Sequence, residues 1–212
     1  MLAQARSRIP GARRGTGRAP PRLNGAMQAV DRAAPGLARP SSELQRSFLQ
    51  AMEEFADEGR GGEGDDSMIG YEIRMYGSSW ASRDGFSSYL ARLAADAEED
   101  RVRPGRVPAS TWWWVEGSTY LGRIAVRHRL NDWLLEIGGH IGYDVRPSAR
   151  RRGHATAMLQ AVLPEAHALG IDPALLTCDV GNVASRKVIE RAGGRLEDER
   201  RGKLRFWVPT GR

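Results

Sequence analysis

The sequence has few of the residues that mark a secreted, metal-binding or membrane protein. Its single cysteine, Cys178, excludes an intrachain disulfide and fits a reducing compartment. Four scattered histidines and one cysteine offer no metal-ligand spacing, so we expect no metal. No run of 18 apolar residues is present, and no membrane span is predicted. These absences favour a cytoplasmic protein.

Lysine is almost missing, since Lys187 and Lys203 are the only two among 32 basic residues. This skew toward arginine is typical of GC-rich coding and says little about partners. The formal net charge is +6, but eight arginines and a single acid, Asp31, lie within residues 1–40, which leaves the remainder near neutral. We therefore do not expect a nucleic-acid partner. A salt-dependent nucleic-acid binder that uses the arginine-rich start is kept as a rival hypothesis.

Residues 1–36 differ in composition from the rest of the chain. They lack the apolar stretch of a secretory signal and are rich in Arg, Ala, Gly and Pro, which interrupt any amphipathic helix. We predict a disordered extension over residues 1–36 and one folded domain over residues 37–212. The whole sequence is 41% hydrophobic, which suffices for one core.

Apolar spacing predicts an α/β fold. Helical spacing begins near residue 42 and again near residue 84, whereas residues 68–76 are predicted as a short strand or an ordered crossing segment. The second half is predicted as strands over 111–115, 120–130, 138–145 and 174–179, helices over 156–169 and 183–191, and a final hairpin within 195–208. The order indicates a mixed, mostly antiparallel sheet flanked by helices.

The segment 150–156, which reads R-R-R-G-H-A-T, lies where a predicted strand passes into a helix. The first N–H groups of a helix have no partner within it, and together with the helix dipole they form an anion site. Gly153 and Ala155 leave the backbone uncovered, so a diphosphate can approach closely. A nucleotide-hydrolase loop is disfavoured because no G-K-[ST] follows the glycine.

Residues 141–190 resemble the GNAT superfamily of acetyl-CoA-dependent acyltransferases. The cofactor-loop signature of that superfamily, Q/R-x-x-G-x-G/A, is matched by R-R-R-G-H-A, and its later N-x-x-S motif by Asn182 and Ser185. The N-x-x-S form, preceded by I-G-Y, is similar to the branch that acetylates N-termini of ribosomal proteins. The motifs R-H-x-L-N and G-G-H-I-G-Y are closer still to another branch, whose substrate the resemblance does not supply.

The resemblance implies a reaction and a set of binding residues. It implies acetyl transfer from acetyl-CoA, as cosubstrate, to a primary amine of a small molecule or peptide. The pantetheine arm would add to an open strand edge, the loop would hold the diphosphate, and the second helix would contact the arm. The implied cofactor-binding residues are Tyr143, Val145, Arg150, Arg151, Arg152, Gly153, His154, Ala155, Thr156, Asn182 and Ser185. The side chain of His154 is expected to be exposed.

One position departs from the family pattern. Many relatives place a tyrosine seven residues after the asparagine to protonate the departing thiolate, whereas this chain has Ile189 there. The general acid is then Ser185, a water molecule, or absent, since a thiolate is a tolerable leaving group. This departure favours the alternative hypothesis, a catalytically inactive acyl-CoA-binding domain of the same fold.

The general base is sought among the histidines. If the strands over 120–130 and 138–145 pair symmetrically, residues whose numbers sum to about 268 face each other, which places His128 opposite His140. Two close imidazoles disfavour double protonation, so we hypothesise that His140 is the base and His128 supports it. The competing interpretations are two ordinary packing histidines, or Glu136 as the base.

The acceptor is not identified by sequence. The first helices, which would border the acceptor site, carry acids at Glu53, Glu54, Glu98, Glu99 and Asp100. Acids near the acceptor would favour a cationic amine, but solvated helix faces explain them equally well. The oligomeric state stays open.

Overall fold

The computed structural model describes residues 34–211, and the remaining residues lie outside the description. Nearly all of the predicted extension over residues 1–36 falls on the residues outside, so that prediction is not tested. The first described element, β1 (Gly36–Ala38), was not predicted as a strand. Within residues 34–211, no helix has both the length and the apolar character required to cross a membrane.

The first half of the domain is helical. Its helices are α1 (Gln45–Asp57), α2 (Met68–Tyr76) and α3 (Arg83–Ala95). The prediction of a strand over residues 68–76 was wrong. Ser67 accepts a hydrogen bond from the Gly70 N–H at 3.1 Å and caps α2. Ile69 and Glu72, three residues apart, are both buried, so the segment packs with helical spacing despite its β-branched and aromatic residues.

The strands form two antiparallel sheets. The first contains β1, β2 (Ala109–Glu116), β3 (Thr119–Arg127) and β4 (Ile141–Val145), in the order β1-β2-β3-β4. The second contains β5 (Ala174–Asp179), β6 (Arg195–Arg200) and β7 (Lys203–Val208), in the order β5-β7-β6. Helix α4 (His154–Ala168) connects β4 to β5, and α5 (Val183–Arg191) follows β5. The α/β class is confirmed, with the predicted mixed sheet divided into two antiparallel parts.

The first sheet has a separate hydrophobic core on each face. On one face, helices α1 to α3 cover an aromatic cluster centred on Phe48, whose ring lies 5.2 Å from the ring of Trp113. On the other face, α4 and α5 pack over Trp112 and Trp114. Side chains alternate along a strand, which sends the middle tryptophan of β2 to the first core and its two neighbours to the second. Both faces are therefore closed by helices.

The two sheets contact each other immediately before β4. The His140 N–H donates to the Leu175 carbonyl of β5 at 2.7 Å, and the Leu175 N–H donates to His140 Nδ1 at 2.9 Å. Gly139 has a φ of 62°, and a Cβ there would lie 2.6 Å from the Leu175 oxygen, so glycine is required for this approach. Beyond this contact β4 pairs with β3 and β5 pairs with β7. The described residues thus form a cleft between β4 and β5 whose closed end is at His140.

Candidate active site

The loop between β4 and α4 ends in a left-handed backbone turn at the start of the helix. The helix begins at His154, two residues before the predicted start, and its N-cap is Gly153 with a φ of 84° and no side-chain capping bond. Arg151 is also left-handed, with a φ of 60°. A residue with a Cβ pays roughly 1–2 kcal/mol for this conformation, which glycine avoids. The predicted passage from strand to helix is present, but it takes eight residues, 146–153, which include a 3-10 turn at Pro147–Ala149.

The backbone N–H groups of this loop are unpaired. Within residues 34–211, none of the six consecutive N–H groups from Arg151 to Thr156 donates a hydrogen bond, and the first helical bond runs from the Ala157 N–H to the Gly153 carbonyl at 3.0 Å. Gly153 is exposed, so these groups are not closed off by packing. Six donors at a helix N-terminus are a site for an anion, in which the helix dipole adds to the hydrogen bonds.

The three loop arginines differ in what they contact. The Arg150 guanidinium donates to the Val145 carbonyl at 3.1 Å and makes a bidentate pair with Glu58 at 2.7 Å. Arg151 and Arg152 are exposed, and no carboxylate of the described residues lies within 4.0 Å of either. The side chains free to meet a phosphate are thus those of Arg151 and Arg152.

His154 does not lie where the sequence suggested. Its side chain is buried, and its Nδ1 accepts a hydrogen bond from the Trp114 indole N–H at 3.2 Å. The expectation that it is exposed was wrong, because the first turn of α4 directs this ring onto the sheet. Burial and the nearby Arg152 lower the pKa of His154, so the ring is neutral at pH 7. The contribution of His154 to an anion site is its backbone N–H.

One edge of β4 is free to accept a further strand. Arg127 N–H donates to the His140 carbonyl and Arg146 N–H donates to the Leu121 carbonyl, so the even-numbered residues of β4 direct their backbone groups to β3. By the same alternation, Tyr143 and Val145 direct theirs toward the cleft. The Val145 carbonyl accepts the Arg150 side chain there, whereas the backbone of Tyr143 has no partner in the described part of the chain. This is the edge on which an extended ligand arm could pair.

The N-x-x-S motif lies across the cleft at the start of α5. Asn182 accepts a hydrogen bond from the Ser185 N–H at 3.0 Å and is the N-cap of the helix. The Ser185 hydroxyl contacts the Tyr143 hydroxyl at 2.8 Å, which links α5 to β4. Burial raises the pKa of Tyr143 to about 12, although the bond to Ser185 opposes the shift. Ile189 is fully buried in the core.

The predicted histidine pair does not form. The register pairs residues whose numbers sum to 267, as in Val126 with Ile141, one less than the predicted 268. His140 therefore lies opposite Arg127, and the ring of His128 contacts the Ser110 hydroxyl at 2.9 Å instead. A shift of one residue reverses which side chains share a face, so the pairing prediction was wrong.

The geometry of His140 also opposes a role as base. Burial, together with Arg127, lowers the pKa of His140 to about 4, so the ring is neutral at pH 7. Its Nδ1 accepts the Leu175 N–H, and the ring proton must then reside on Nε2. A ring in this tautomer donates from Nε2 and has no free acceptor for a proton. The rival base, Glu136, is ion-paired with Arg200 at 2.9 Å.

Two charged groups on the α2 face of β3 and β4 were not predicted. Asp144 has one carboxylate oxygen that is buried without a hydrogen-bond partner in the described residues, and burial raises its pKa although Arg123 opposes the shift. Arg127 is the second, a partly buried guanidinium. The sequence signal was available: charged residues in otherwise apolar strands are exceptional. By contrast, Arg123 pairs with Glu72 in the core.

A comparison with protein-family models identifies a match over residues 67–195 to the acetyltransferase (GNAT) domain. The matched residues include the loop, the free edge of β4 and the start of α5. A search of curated proteins finds no match to the sequence.

Several solved structures have the same fold. RimJ of Mycobacterium smegmatis, in complex with CoA-disulfide, superposes with a TM-score of 0.57 and 18% identity, over 84% of this chain and 82% of that one. The microcin C7 self-immunity acetyltransferase MccE, in complex with acetyl-CoA and AMP, gives 0.56 and 12% identity, over 82% and 92%. The PaiA N-acetyltransferase of Thermoplasma acidophilum, in complex with coenzyme A, gives 0.53 and 13%, over 83% and 99%. At these identities the similarity shows the fold.

Proposed function

Because the chain belongs to the GNAT acetyltransferase family, we propose that it transfers an acetyl group from acetyl-CoA to a primary amine of a small molecule or peptide. The observation that carries the proposal is the run of unpaired N–H groups from Arg151 to Thr156 beside the free edge of β4. Three proteins of similar structure were solved with coenzyme A, a CoA disulfide or acetyl-CoA. The single, buried Cys178 supports a reducing compartment, and we propose the cytoplasm.

The loop and the β4 edge fit a molecule that has a diphosphate and an extended amide arm. The six N–H groups would hold the diphosphate, with Arg151 and Arg152 at its outer side. The backbone of Tyr143 would pair with the arm as a neighbouring strand does. Acetyl-CoA has both parts and supplies the acetyl group as a thioester.

The free N–H of Tyr143 is also our candidate for the oxyanion donor. It lies on the cleft edge of β4, between the loop that would hold the diphosphate and the closed end of the cleft at His140. A backbone donor fixed by a paired strand requires no rearrangement when negative charge develops on the carbonyl oxygen. Removal of such a donor typically slows acyl transfer about 100- to 1000-fold.

Asp144 is the candidate proton acceptor in place of His140. Its side chain lies on the α2 face, and its unpartnered oxygen and raised pKa suit a group that receives a proton from an ammonium. We expect Asp144→Asn to keep its affinity for acetyl-CoA and to lose about 100-fold in turnover. Unchanged turnover in this variant would mean that water, and not Asp144, accepts the proton of the ammonium group.

The hydroxyls of Tyr143 and Ser185 are candidates for protonation of the departing thiolate. They are hydrogen-bonded at 2.8 Å where β4 faces α5, and the position of the family tyrosine is occupied by buried Ile189. If neither hydroxyl donates, the thiolate leaves unprotonated, which its low basicity permits. Tyr143→Phe and Ser185→Ala should then each change turnover by less than about threefold, well below the 100-fold typical of a general acid.

The proposal is tested by two measurements on the full chain. Calorimetric titration with acetyl-CoA should show binding, and thiol release should rise when amines, peptides or aminoglycosides are added. Binding without thiol release for any amine would favour the inactive acyl-CoA-binding domain, for which Ile189 is the supporting observation. Absence of binding would overturn both.

A further inference from the structure

Several charged groups around the acceptor side of the cleft are paired, but Arg127 has no anionic partner among residues 34–211. Of the acids considered as markers of a cationic amine, Glu54 pairs with Arg146, Glu98 with Arg101 and Glu99 with Arg129. The other two, Glu53 and Asp100, are exposed to solvent. No carboxylate among residues 34–211 lies within 4.0 Å of the Arg127 side chain. A partly buried guanidinium without an anion is unusual, because burial of an unpaired charge is costly.

Arg127 lies beside the segment of β4 proposed to hold the thioester. Its Nη1 donates to the Gly138 and Gly139 carbonyls at 3.0 and 3.1 Å, at the closed end of the cleft. A Cβ on Gly142 would lie 3.6 and 3.7 Å from the two terminal nitrogens, so the guanidinium covers the strand next to Tyr143. The absence of a side chain at Gly142 lets the fork lie close to the strand, and the methyl group of Met68 would lie 3.7 Å from the same Cβ position.

A second unpaired cation lies near the first. The Arg106 guanidinium stacks over the ring of Tyr71 in α2, with its central carbon 4.6 Å from the ring centroid. Arg106 also makes no ion pair with the described residues. Burial, then the charges of Arg123 and Arg106, lower the pKa of Arg127 to about 10, so Arg127 is still cationic at pH 7. The neighbourhood thus has surplus positive charge that the protein itself does not neutralise.

We propose that Arg127, assisted by Arg106, binds an anionic group on the acceptor, so that the preferred substrate is an amine that also bears a carboxylate or a phosphate. This inference rests on the proposed function, because it assigns the acceptor class of the same site. The planar fork of arginine suits both anions, which offer two oxygens in one plane. The anion would hold the acceptor on the face of β4 to which Asp144 also belongs.

The first test compares matched amines that differ in one anionic group. Phosphoethanolamine against ethanolamine tests a phosphate, and glycine against glycinamide tests a carboxylate. Rates are divided by the fraction of unprotonated amine, because the two members of each pair have different amine pKa values. The expected result is a kcat/KM at least about tenfold higher for the anionic member of one pair. Equal or lower values for both anionic members would overturn the inference while the proposed function stands.

Variants of single arginines then show which side chain causes the preference for anionic amines. Arg127→Gln should abolish the preference and leave acetyl-CoA affinity unchanged. Arg129→Gln is the matched control, since it removes an exposed arginine of the same segment, and it should keep the preference. Arg106→Gln, at an exposed position, should reduce the preference several-fold and serves if Arg127→Gln does not fold. A preference that survives in both Arg127→Gln and Arg106→Gln contradicts the inference.

A binding measurement does not depend on turnover. Inorganic phosphate is titrated by calorimetry into protein saturated with coenzyme A, which keeps the loop at α4 from taking up the phosphate. We expect phosphate to bind wild type and Arg129→Gln, and Arg127→Gln to bind at least about tenfold more weakly. If wild type fails to bind phosphate, or if Arg127→Gln binds equally well, the anion site is refuted. Binding of phosphate without acetylation of any amine would refute the transferase and keep the anion site.

Discussion

The N-termini of α4 and α5 face the same cleft and are built in opposite ways. Helix α5 is closed by its own sequence, because Asn182 accepts the Ser185 N–H, and α2 and α3 are closed likewise by Ser67 and Ser82. Helix α4 has Gly153 as its cap and no capping side chain. A capping side chain in place of glycine would satisfy one of these donors, but it would have to adopt the left-handed backbone of Gly153. Of the helices α2, α3, α4 and α5, only α4 lacks a capping side chain. A helix end with a purely structural role is capped, whereas an end that binds an anion keeps its N–H donors free.

The largest expected effect, a loss of acetyl-CoA affinity, comes from giving α4 a capping side chain like that of α5. Gly153→Asp would place a carboxylate at the N-cap, where it accepts the loop N–H groups and repels a diphosphate. We predict that it weakens acetyl-CoA binding about 100-fold, as measured by calorimetry. Gly153→Asn is the matched control, because it also tolerates a left-handed backbone but has no charge, and it should weaken binding by less than about tenfold. Equal losses in both variants would mean that the backbone turn matters and the charge does not.

A second prediction concerns Asp65, which lies in the loop just before Ser67, the capping residue at the N-terminus of α2. Although burial alone would raise it, hydrogen bonds from the Gly61 N–H at 2.8 Å and from Ser67 lower the pKa of Asp65 to about 2. A pKa below the unfolded value stabilises the fold at neutral pH, and this stability is lost as pH falls from about 4 through 2. We expect Asp65→Asn to lower the free energy of unfolding by about 2 kcal/mol at pH 7 and to flatten its acid dependence.

The measurement for Asp65 is urea denaturation at several pH values. Asp66→Asn is the control, since this neighbouring side chain is exposed. The cost of Asp65→Asn should shrink as pH approaches 2, because the wild-type carboxyl is then also protonated. A cost that is the same at pH 7 and pH 2.5 would show that the charge of Asp65 contributes nothing.

Removing the cap of α5 should lower the stability of the fold and change the affinity for acetyl-CoA only slightly. Asn182→Ala removes the side-chain cap and is predicted to lower the free energy of unfolding by about 1 kcal/mol. Asn182→Asp retains an acceptor oxygen and should restore that stability. If Asn182 also contacts the pantetheine arm, acetyl-CoA binding will weaken more than about threefold in the Asp variant, although its helix is capped.

The smallest effect is expected from the exposed arginines of the loop. Replacing both Arg151 and Arg152 with Gln should weaken acetyl-CoA binding about two- to fivefold per residue and reduce its salt dependence, because exposed charges are screened. Arg150→Gln provides the comparison, since that guanidinium is paired with Glu58. We expect it to change acetyl-CoA affinity less than either neighbour. A larger loss in Arg150→Gln would mean that its pair with Glu58 breaks on binding.

Local chemistry allowed the α4 loop to be predicted from the sequence. A glycine among small and basic residues, between an extended and a helical pattern, is sufficient to indicate an uncovered turn. The same reasoning placed β5 and α5 at their observed bounds. It failed for α2, where Ile69, Tyr71 and Ile73 have strand propensity but a serine cap and tertiary burial impose a helix.

The pairing register of β3 and β4 could not be predicted from the sequence. The pairing of β3 with β4 differs from the prediction by one residue, and that difference separates His128 from His140. It also brings Arg127 opposite His140, at the closed end of the cleft. The turn between these strands includes a π-helical segment, Leu134–Gly138, whose extra residue per turn is not evident from periodicity. Charges in a strand can be noticed in a sequence, but their neighbours across the sheet cannot.

The proposed function depends on the unpaired N–H groups at the start of α4, which are expected to bind the diphosphate of acetyl-CoA. The most direct test follows the backbone amide resonances of residues 151–156 by NMR during titration with acetyl-CoA. All six resonances should shift, with the dissociation constant found by calorimetry, and the capped amide of Ser185 should retain its hydrogen bond to Asn182. Tight binding that leaves the six amides unperturbed would contradict this expectation.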